Sequence, residues 1–313
     1  MSHIFIGTSG FSYSHWKGIF YPQDLPPKNW FKFYCQNFQT VEINSSFYHL
    51  PKKETFEKWR REAGPDFVFS IKGWRWITHI KKLKDCQNEV EKFFKAAEGV
   101  WVQGCSSRSC QKTANCSKNV GNYSFEGNSC LKNKVNNPCE MTTATSSTPS
   151  PLEVKEVILW QLPPRLKADT KRLEEFLKIL AVYSPSRCAA GATPPGRCSL
   201  SSWHHAFEFR NKSWLNEEVY ELLKKNSAAI VFQDYPEWPI TQKVTADFVY
   251  LRFHGKTSLY SSCYTKKELK EWAEKIKEWL SRGLDVYGYF NNDAMGWAVE
   301  NAKELILNVK TKT

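Results

Sequence analysis

Six side chains able to move protons or hold charge fall at the ends of short apolar runs. They are Glu42 in TVEIN (40–44), Lys72 in DFVFSIK (66–72), Glu208 and Arg210 in HAFEFR (205–210), and Arg252 and His254 in DFVYLRFH (247–254). Successive residues of a strand point to opposite faces. Val41 and Ile43 therefore oppose Glu42 and Asn44, and Phe67, Phe69 and Ile71 oppose Ser70 and Lys72. Phe207 and Phe209 oppose Glu208 and Arg210, and Val249, Leu251 and Phe253 oppose Tyr250, Arg252 and His254. In VYGYFN, Val286 and Phe290 oppose Tyr287, Tyr289 and Asn291. Carboxylates gathered with cations are the equipment of general acid–base catalysis and of transition-state charge stabilisation. On that scheme Glu42 or Glu208 is the general base, Lys72, Arg210 and Arg252 hold developing negative charge, and His254 is an acid or a metal ligand. Two acids facing three bases and a histidine suit an anionic ligand. The other expectation is pairing, Glu42 with Lys72 and Glu208 with Arg210 or Arg252, in an ion network that only fixes register.

These side chains need elements to position them. Four further runs, HIFIGTS (3–9), EVILWQ (156–161), AAIVFQD (228–234) and LDVYGYFNN (284–292), bring the strand-like segments to eight. Helical spacing occupies 54–62, 88–98, 169–180, 216–226, 266–282 and 294–308. Asn216 is a good N-cap, and Thr265 with Glu268 forms a capping-box pattern that Gly283 closes. Between the sixth and seventh runs, the two prolines of YPEWPITQKVTA argue against a long helix. Strands alternating with helices predict an α/β chain, a single (β/α)8 TIM-type barrel, whose sites lie at the C-terminal strand ends.

The chain has 313 residues and 41% hydrophobic content, enough for a full core. Two stretches do not read as core: about 100–154, rich in Ser, Asn, Thr and Cys, and about 187–204. Without them about 240 residues remain, close to one barrel of about 250. One domain, 1–313, is expected, with two low-complexity insertions of disordered composition in helix-to-strand connections, on the face opposite the site. The net charge is +12; the insertions carry seven basic and three acidic residues, so +8 belongs to the barrel. That balance favours an anionic small molecule or nucleic acid as partner. Seven of the ten cysteines lie in the insertions without a C-x-x-C pair, which gives little support to structural zinc. No signal peptide, membrane span or nucleotide-cofactor motif is visible, so a reduced, cytoplasmic protein is expected.

The loops add binding candidates. Thr8 and Ser9 in the GTSG turn offer hydroxyls to a phosphate or sugar oxygen. Trp16, Tyr21, Tyr48, Trp74 and Trp76 follow strands one to three, where aromatics stack on bases or sugar rings or cap the barrel. His79 stands with His254 as a titrating group near a strand tip. Asn291, Asn292 and Asp293 end the eighth run, where barrels contact substrate, or form an Asx turn. Glu42, Glu208, Asp234 and His254 have the ligand chemistry for a divalent metal but no diagnostic spacing, and the guanidiniums compete for the carboxylates.

Several motifs occur in order: GTSGFSYSHWKGIFYP (7–22), VEINSSFYHLP (41–51), FSIKGWRWITH (69–79), QLPP (161–164), FEFRNKSW (207–214), RFHG (252–255) and YFNND (289–293). They closely resemble the YecE-like family, also called domain of unknown function 72, across nearly all of the chain outside the insertions. The resemblance implies a TIM-barrel fold and no established activity. Together the residues point to a hydrolase-type enzyme acting on an anionic, phosphate-containing substrate at the C-terminal face. The alternatives are a non-catalytic nucleic-acid-binding module, a carbohydrate hydrolase using Glu42 and Glu208, and a ligand-sensing barrel.

Overall fold

All eight apolar runs form strands: β1 (Ile4–Thr8), β2 (Thr40–Ile43), β3 (Val68–Lys72), β4 (Val157–Gln161), β5 (His204–Glu208), β6 (Ala229–Asp234), β7 (Phe248–Phe253) and β8 (Asp285–Phe290). The computed structural model describes residues 2–101, 156–183, 203–234, 238–239, 243–255 and 260–311. Every ladder is parallel, in the order β1-β8-β7-β6-β5-β4-β3-β2. A parallel bridge between Ser9 and Glu42, with the Gly10 amide donating to the Glu42 carbonyl at 2.8 Å, links the two end strands. The fold is thus a (β/α)8 TIM-type barrel, and Glu42 stands where it closes. Gly7 permits the closure, since a Cβ there would lie 2.4 Å from the Thr40 carbonyl oxygen.

Helices α1 (Trp30–Asn37), α2 (Ser45–Tyr48), α3 (Lys53–Ala63), α4 (Gln87–Ala97), α5 (Thr170–Leu180), α6 (Glu217–Lys225), α7 (Lys266–Ser281) and α8 (Trp297–Lys310) lie between or after the strands. The expected caps are present. Asn216 accepts from the Val219 amide at 3.1 Å, and Thr265 and Glu268 close both arms of a capping box. Two helices were not anticipated, α1 and the single turn α2. The segment WFKFYCQN buries Trp30, Phe31 and Tyr34 but lacks a regular polar stripe, so its periodicity is weak. The last helix starts later than expected, because Met295 and Gly296 take φ of 57° and 77° and break 294–296 off as a separate turn. Between β6 and β7 the described residues contain no helix, in line with the two prolines.

Alternation divides the core in two. Val41, Phe69, Phe207, Leu251 and Phe290 pack outward with the helices, whereas Phe5, Val68, Leu159, Val231, Phe248 and Tyr287 fill the lower barrel. At roughly 1.5–3 kcal/mol per buried large side chain, these layers supply the driving force that lets the upper layer be polar. Trp203 and His204, at the edge of the second expected insertion, are buried, and His204 opens β5. The insertions themselves, within 102–155 and 184–202, lie outside the described residues.

Candidate active site

The upper barrel layer is an ion network centred on Arg252, the fifth residue of β7. Its Nε and Nη2 grip Glu42 Oε2 and Oε1 at 2.9 and 2.6 Å, and its Nη1 donates to Glu208 Oε2 at 2.5 Å. One guanidinium, about 1% exposed, thus bridges two fully buried carboxylates from β2 and β5. Glu42 also accepts from Tyr250 Oη at 2.7 Å and from the Ser9 hydroxyl. Glu208 accepts from Gln161 Nε2 at 3.0 Å and from Arg210 Nε. The Ser9 hydroxyl in turn accepts from Asn44 Nδ2 at 2.7 Å and Arg252 Nη2 at 3.0 Å, so it is fully engaged.

Pairing therefore differs from one expectation. Glu42 is taken by Arg252 from across the barrel, and not by Lys72 on the adjacent strand. A bidentate guanidinium outcompetes a point-charge ammonium for a buried carboxylate. Lys72 is left with no carboxylate within 4 Å and no hydrogen-bond partner among the described residues, its Nζ lying 4.3 Å from the centroid of the Phe47 ring.

The electrostatics follow. Burial pushes the Glu208 carboxyl up, but Arg210 and Arg252 outweigh it and hold the group well below the usual carboxylate range. Burial, reinforced by Arg252 and opposed by Glu208 and Glu42, pulls the Lys72 ammonium down to about 8. Burial, aided by Lys72 and Arg75, pulls His79 down to about 4. His254 is also pulled to about 4 by burial, although Glu208 opposes the shift. Both histidines are neutral near pH 7. His254 places Nε2 3.5 Å from Glu208 Oε1, and Asn291 Nδ2 is 3.1 Å from its Nδ1.

Above the network lies a cavity of about 1020 Å³ at the C-terminal strand ends. Asn44, Tyr48, Lys72, His79, Arg252, Asn291 and Asp293 line it, and all of them were picked out from the sequence. Asn44 Oδ1 is buried there without a hydrogen-bond partner among the described residues. Other picked residues lie elsewhere. Thr8 faces outward, its hydroxyl donating to the Gly10 carbonyl at 2.6 Å and lying 2.9 Å from Tyr34 Oη. Trp16 is fully buried among Tyr13, Phe20 and Tyr21, its Nε1 donating to the Asp293 carbonyl at 3.1 Å. Asn292 donates to Ser262 O and Asn301 Oδ1, both at 2.9 Å, tying loops together. Asp234 shares the outward face of β6 with Phe232 and bonds Tyr264.

The four metal candidates consequently do not converge. Among the described residues no group of three His, Cys, Asp or Glu side chains could hold a metal ion. Guanidiniums and hydroxyls occupy the carboxylate oxygens a metal would need.

Several cavity residues escaped the sequence reading: Arg75, Phe47, Gln161, Tyr13 and Tyr260. Gln161 carried a signal, since it is the polar tip of β4. Arg75 sits between two tryptophans just beyond β3, where no periodicity applies.

A family model described as "Protein of unknown function DUF72" matches residues 5–107 and 128–313. UPF0759 protein YunF of Bacillus subtilis (strain 168) is 22% identical over 331 residues, covering 97% of this chain and 93% of the relative. UPF0759 protein YecE of Escherichia coli (strain K12) is 37% identical over 60 residues, 19% of this chain and 22% of the relative. A crystal structure of a DUF72 family protein from Thermotoga maritima superposes with a TM-score of 0.67 at 26% identity, covering 99% of this chain and 100% of that one. One from Enterococcus faecalis V583, at 17% identity and TM-score 0.63, covers 99% and 96% and shares the fold.

Proposed function

The chain belongs to the DUF72 family of proteins of unknown function, and from that premise we propose that its barrel mouth is an enzyme site for an anionic, phosphate-bearing substrate. One observation carries this reading. With Glu42 and Glu208 committed to Arg252 and Arg210, Lys72 and Arg75 are cations in the cavity wall without a carboxylate within 4 Å among the described residues. Two unmatched positive charges over a desolvated floor attract an anion and stabilise charge developing on it. The exposed Tyr48 offers an apolar face at the rim.

Phosphoester hydrolysis is the reaction class to assay first. Glu208, held ionised by two guanidiniums, and His79, pulled down to about 4, are both weak proton acceptors, so the step leans on Lys72 and Arg75 holding the phosphoryl oxygens as water attacks. A carbohydrate hydrolase pairing Glu42 with Glu208 is disfavoured. Such a pair needs a carboxyl free to reach the glycosidic oxygen, and Arg252 holds both Glu42 and Glu208, each fully buried.

The test is a panel of phosphomonoesters assayed for phosphate release and phosphodiesters assayed for alcohol release, beside thermal-shift measurements with the same compounds. Stabilisation by at least one phosphate compound, lost in Lys72→Met, supports the reading. Failure of every phosphate compound to bind at low salt sinks it. A second reading, a non-catalytic nucleic-acid-binding module, draws on the exposed rim aromatics Tyr48 (61%) and Trp76 (45%). Oligonucleotide binding that weakens steeply with salt, without turnover, would favour it.

The described cysteines Cys35, Cys86 and Cys263 are free thiols, which suits the reducing cytoplasm that is part of this proposal. Among the described residues no helix is long and apolar enough to cross a membrane.

A further inference from the structure

We propose that Lys72 is a nucleophile, and that the anionic substrate carries a carbonyl group with which its amine condenses to an imine. This rests on the anion-binding reading of the cavity and names the substrate class more narrowly.

The geometry comes first. Lys72 closes β3, so a rigid strand aims its side chain into the cavity. The two carboxylates of the barrel floor are occupied by guanidiniums from β7 and from just past β5. The amine rests on the Phe47 ring face at 4.3 Å and has no hydrogen-bond partner among the described residues. A lysine kept for structure or register takes a carboxylate; this one has none within 4 Å among the described residues, faces open volume and has the Arg252 charge nearby, although Glu208 and Glu42 act in the opposite sense from farther off. A lysine activated for covalent chemistry needs those two conditions, desolvation and a neighbouring cation. With the amine at about 8, about a tenth of it is unprotonated at pH 7, roughly two- to three-hundredfold more than for a solvent-exposed lysine.

The step balances without an outside oxidant or reductant. The free amine attacks the carbonyl carbon and forms the C–N bond, while the π pair moves to oxygen. A proton passes from nitrogen to that oxygen, giving the carbinolamine. The hydroxyl then takes up a proton and leaves as water, giving a protonated imine that returns the proton on neutralisation. Arg75, in the cavity wall with no carboxylate within 4 Å among the described residues, is placed to hold the anionic group.

The probe is pyridoxal 5′-phosphate, an aldehyde with a phosphate group, trapped with sodium borohydride on the full-length protein and mapped by peptide mass spectrometry. The expected result is labelling of Lys72 at least about tenfold faster than any other lysine at pH 7, suppressed by excess inorganic pyrophosphate. The labelling rate should rise with pH as a single proton is lost near pH 8. Lys72→Arg keeps the charge, should retain its circular dichroism spectrum, and loses the selective label. Label spread evenly over surface lysines, with pyrophosphate still bound, overturns the imine but leaves the anion site standing. Even labelling without pyrophosphate binding overturns both. Labelling of Lys72 that pyrophosphate does not suppress overturns the link between the nucleophile and the anion site.

Discussion

The barrel buries guanidinium–carboxylate centres at both ends, Arg60 with Glu156 where β3 and β4 begin, and Arg252 with Glu42 and Glu208 where the strands finish. At the lower end Arg60, on α3, spends its nitrogens on the carbonyls of Gly64, Pro65, Phe67 and Val100 and on Glu156. The second Glu156 oxygen accepts from the Phe69 amide, and the guanidinium lies over the Phe69 ring at 4.7 Å. Each guanidinium nitrogen finds a local acceptor, tying a helix end to two strands. At the upper end the pairing is just as complete for the arginine, yet a lysine beside it is unmatched and a cavity opens above. Buried charge by itself therefore does not mark a site; charge left over after pairing, next to open volume, does. Burial pushes both glutamates up. Glu156, with one guanidinium, reaches about 7, while Glu208, with two, ends well below the carboxylate range.

The comparison can be broken by substitution. Arg252→Met should be the most damaging change, destabilising by about 5 kcal/mol or more in urea unfolding, since it strands two buried carboxylates. Arg60→Met strands one and should cost about 3–5 kcal/mol, while the folded fraction keeps its pyrophosphate affinity within about twofold. If Arg60→Met abolished anion binding, the division between the two ends would fail. Lys72→Met should act in the opposite sense on the two properties, raising stability by about 0.5–1 kcal/mol while weakening pyrophosphate binding at least about tenfold.

His254 beside the upper network and Glu156 in the lower pair should oppose each other in pH dependence. His254 is lowered from 6.5 to about 4, so the unfolded chain binds its proton first and stability falls as pH drops from about 6.5. Glu156 is raised from 4.5 to about 7, so the folded chain binds its proton first and stability rises as pH drops from about 7 toward 4.5. His79 and His205, lowered to about 4 and about 3, act in the same direction as His254, so the net effect is acid lability. Unfolding free energies at pH 7 and pH 5 should show the acid loss shrinking by about 1–2 kcal/mol in His254→Asn and growing by a similar amount in Glu156→Gln.

Much of this was legible in the residues. Alternation assigns Glu42, Ser70, Glu208, Arg252 and Tyr250 to the interior because each apolar neighbour must face the helices, and the strands obey it. The same rule, applied to HIFIGTS, puts Thr8 on the outer face with Ile6, where Tyr34 meets it. The partner of Glu42 was not legible. Arg252 lies 210 residues away and reaches it only because the sheet closes, so adjacency in strand order pointed to Lys72 instead. Trp16 and Asn292 follow strand ends, but the loops fold back and bury them, a matter of tertiary packing that no period records. Arg75 and Tyr260 enter the wall from loops for the same reason.

The central claim is that the charge left unpaired at the upper end binds an anion. Isothermal titration of inorganic pyrophosphate into the wild-type protein, Lys72→Met and Arg60→Met at low salt tests it most directly. The account predicts binding at one site in the wild type, the same binding in Arg60→Met, and a loss of at least about tenfold in Lys72→Met. Equal binding in the wild type and Lys72→Met, or no binding in the wild type, would contradict it.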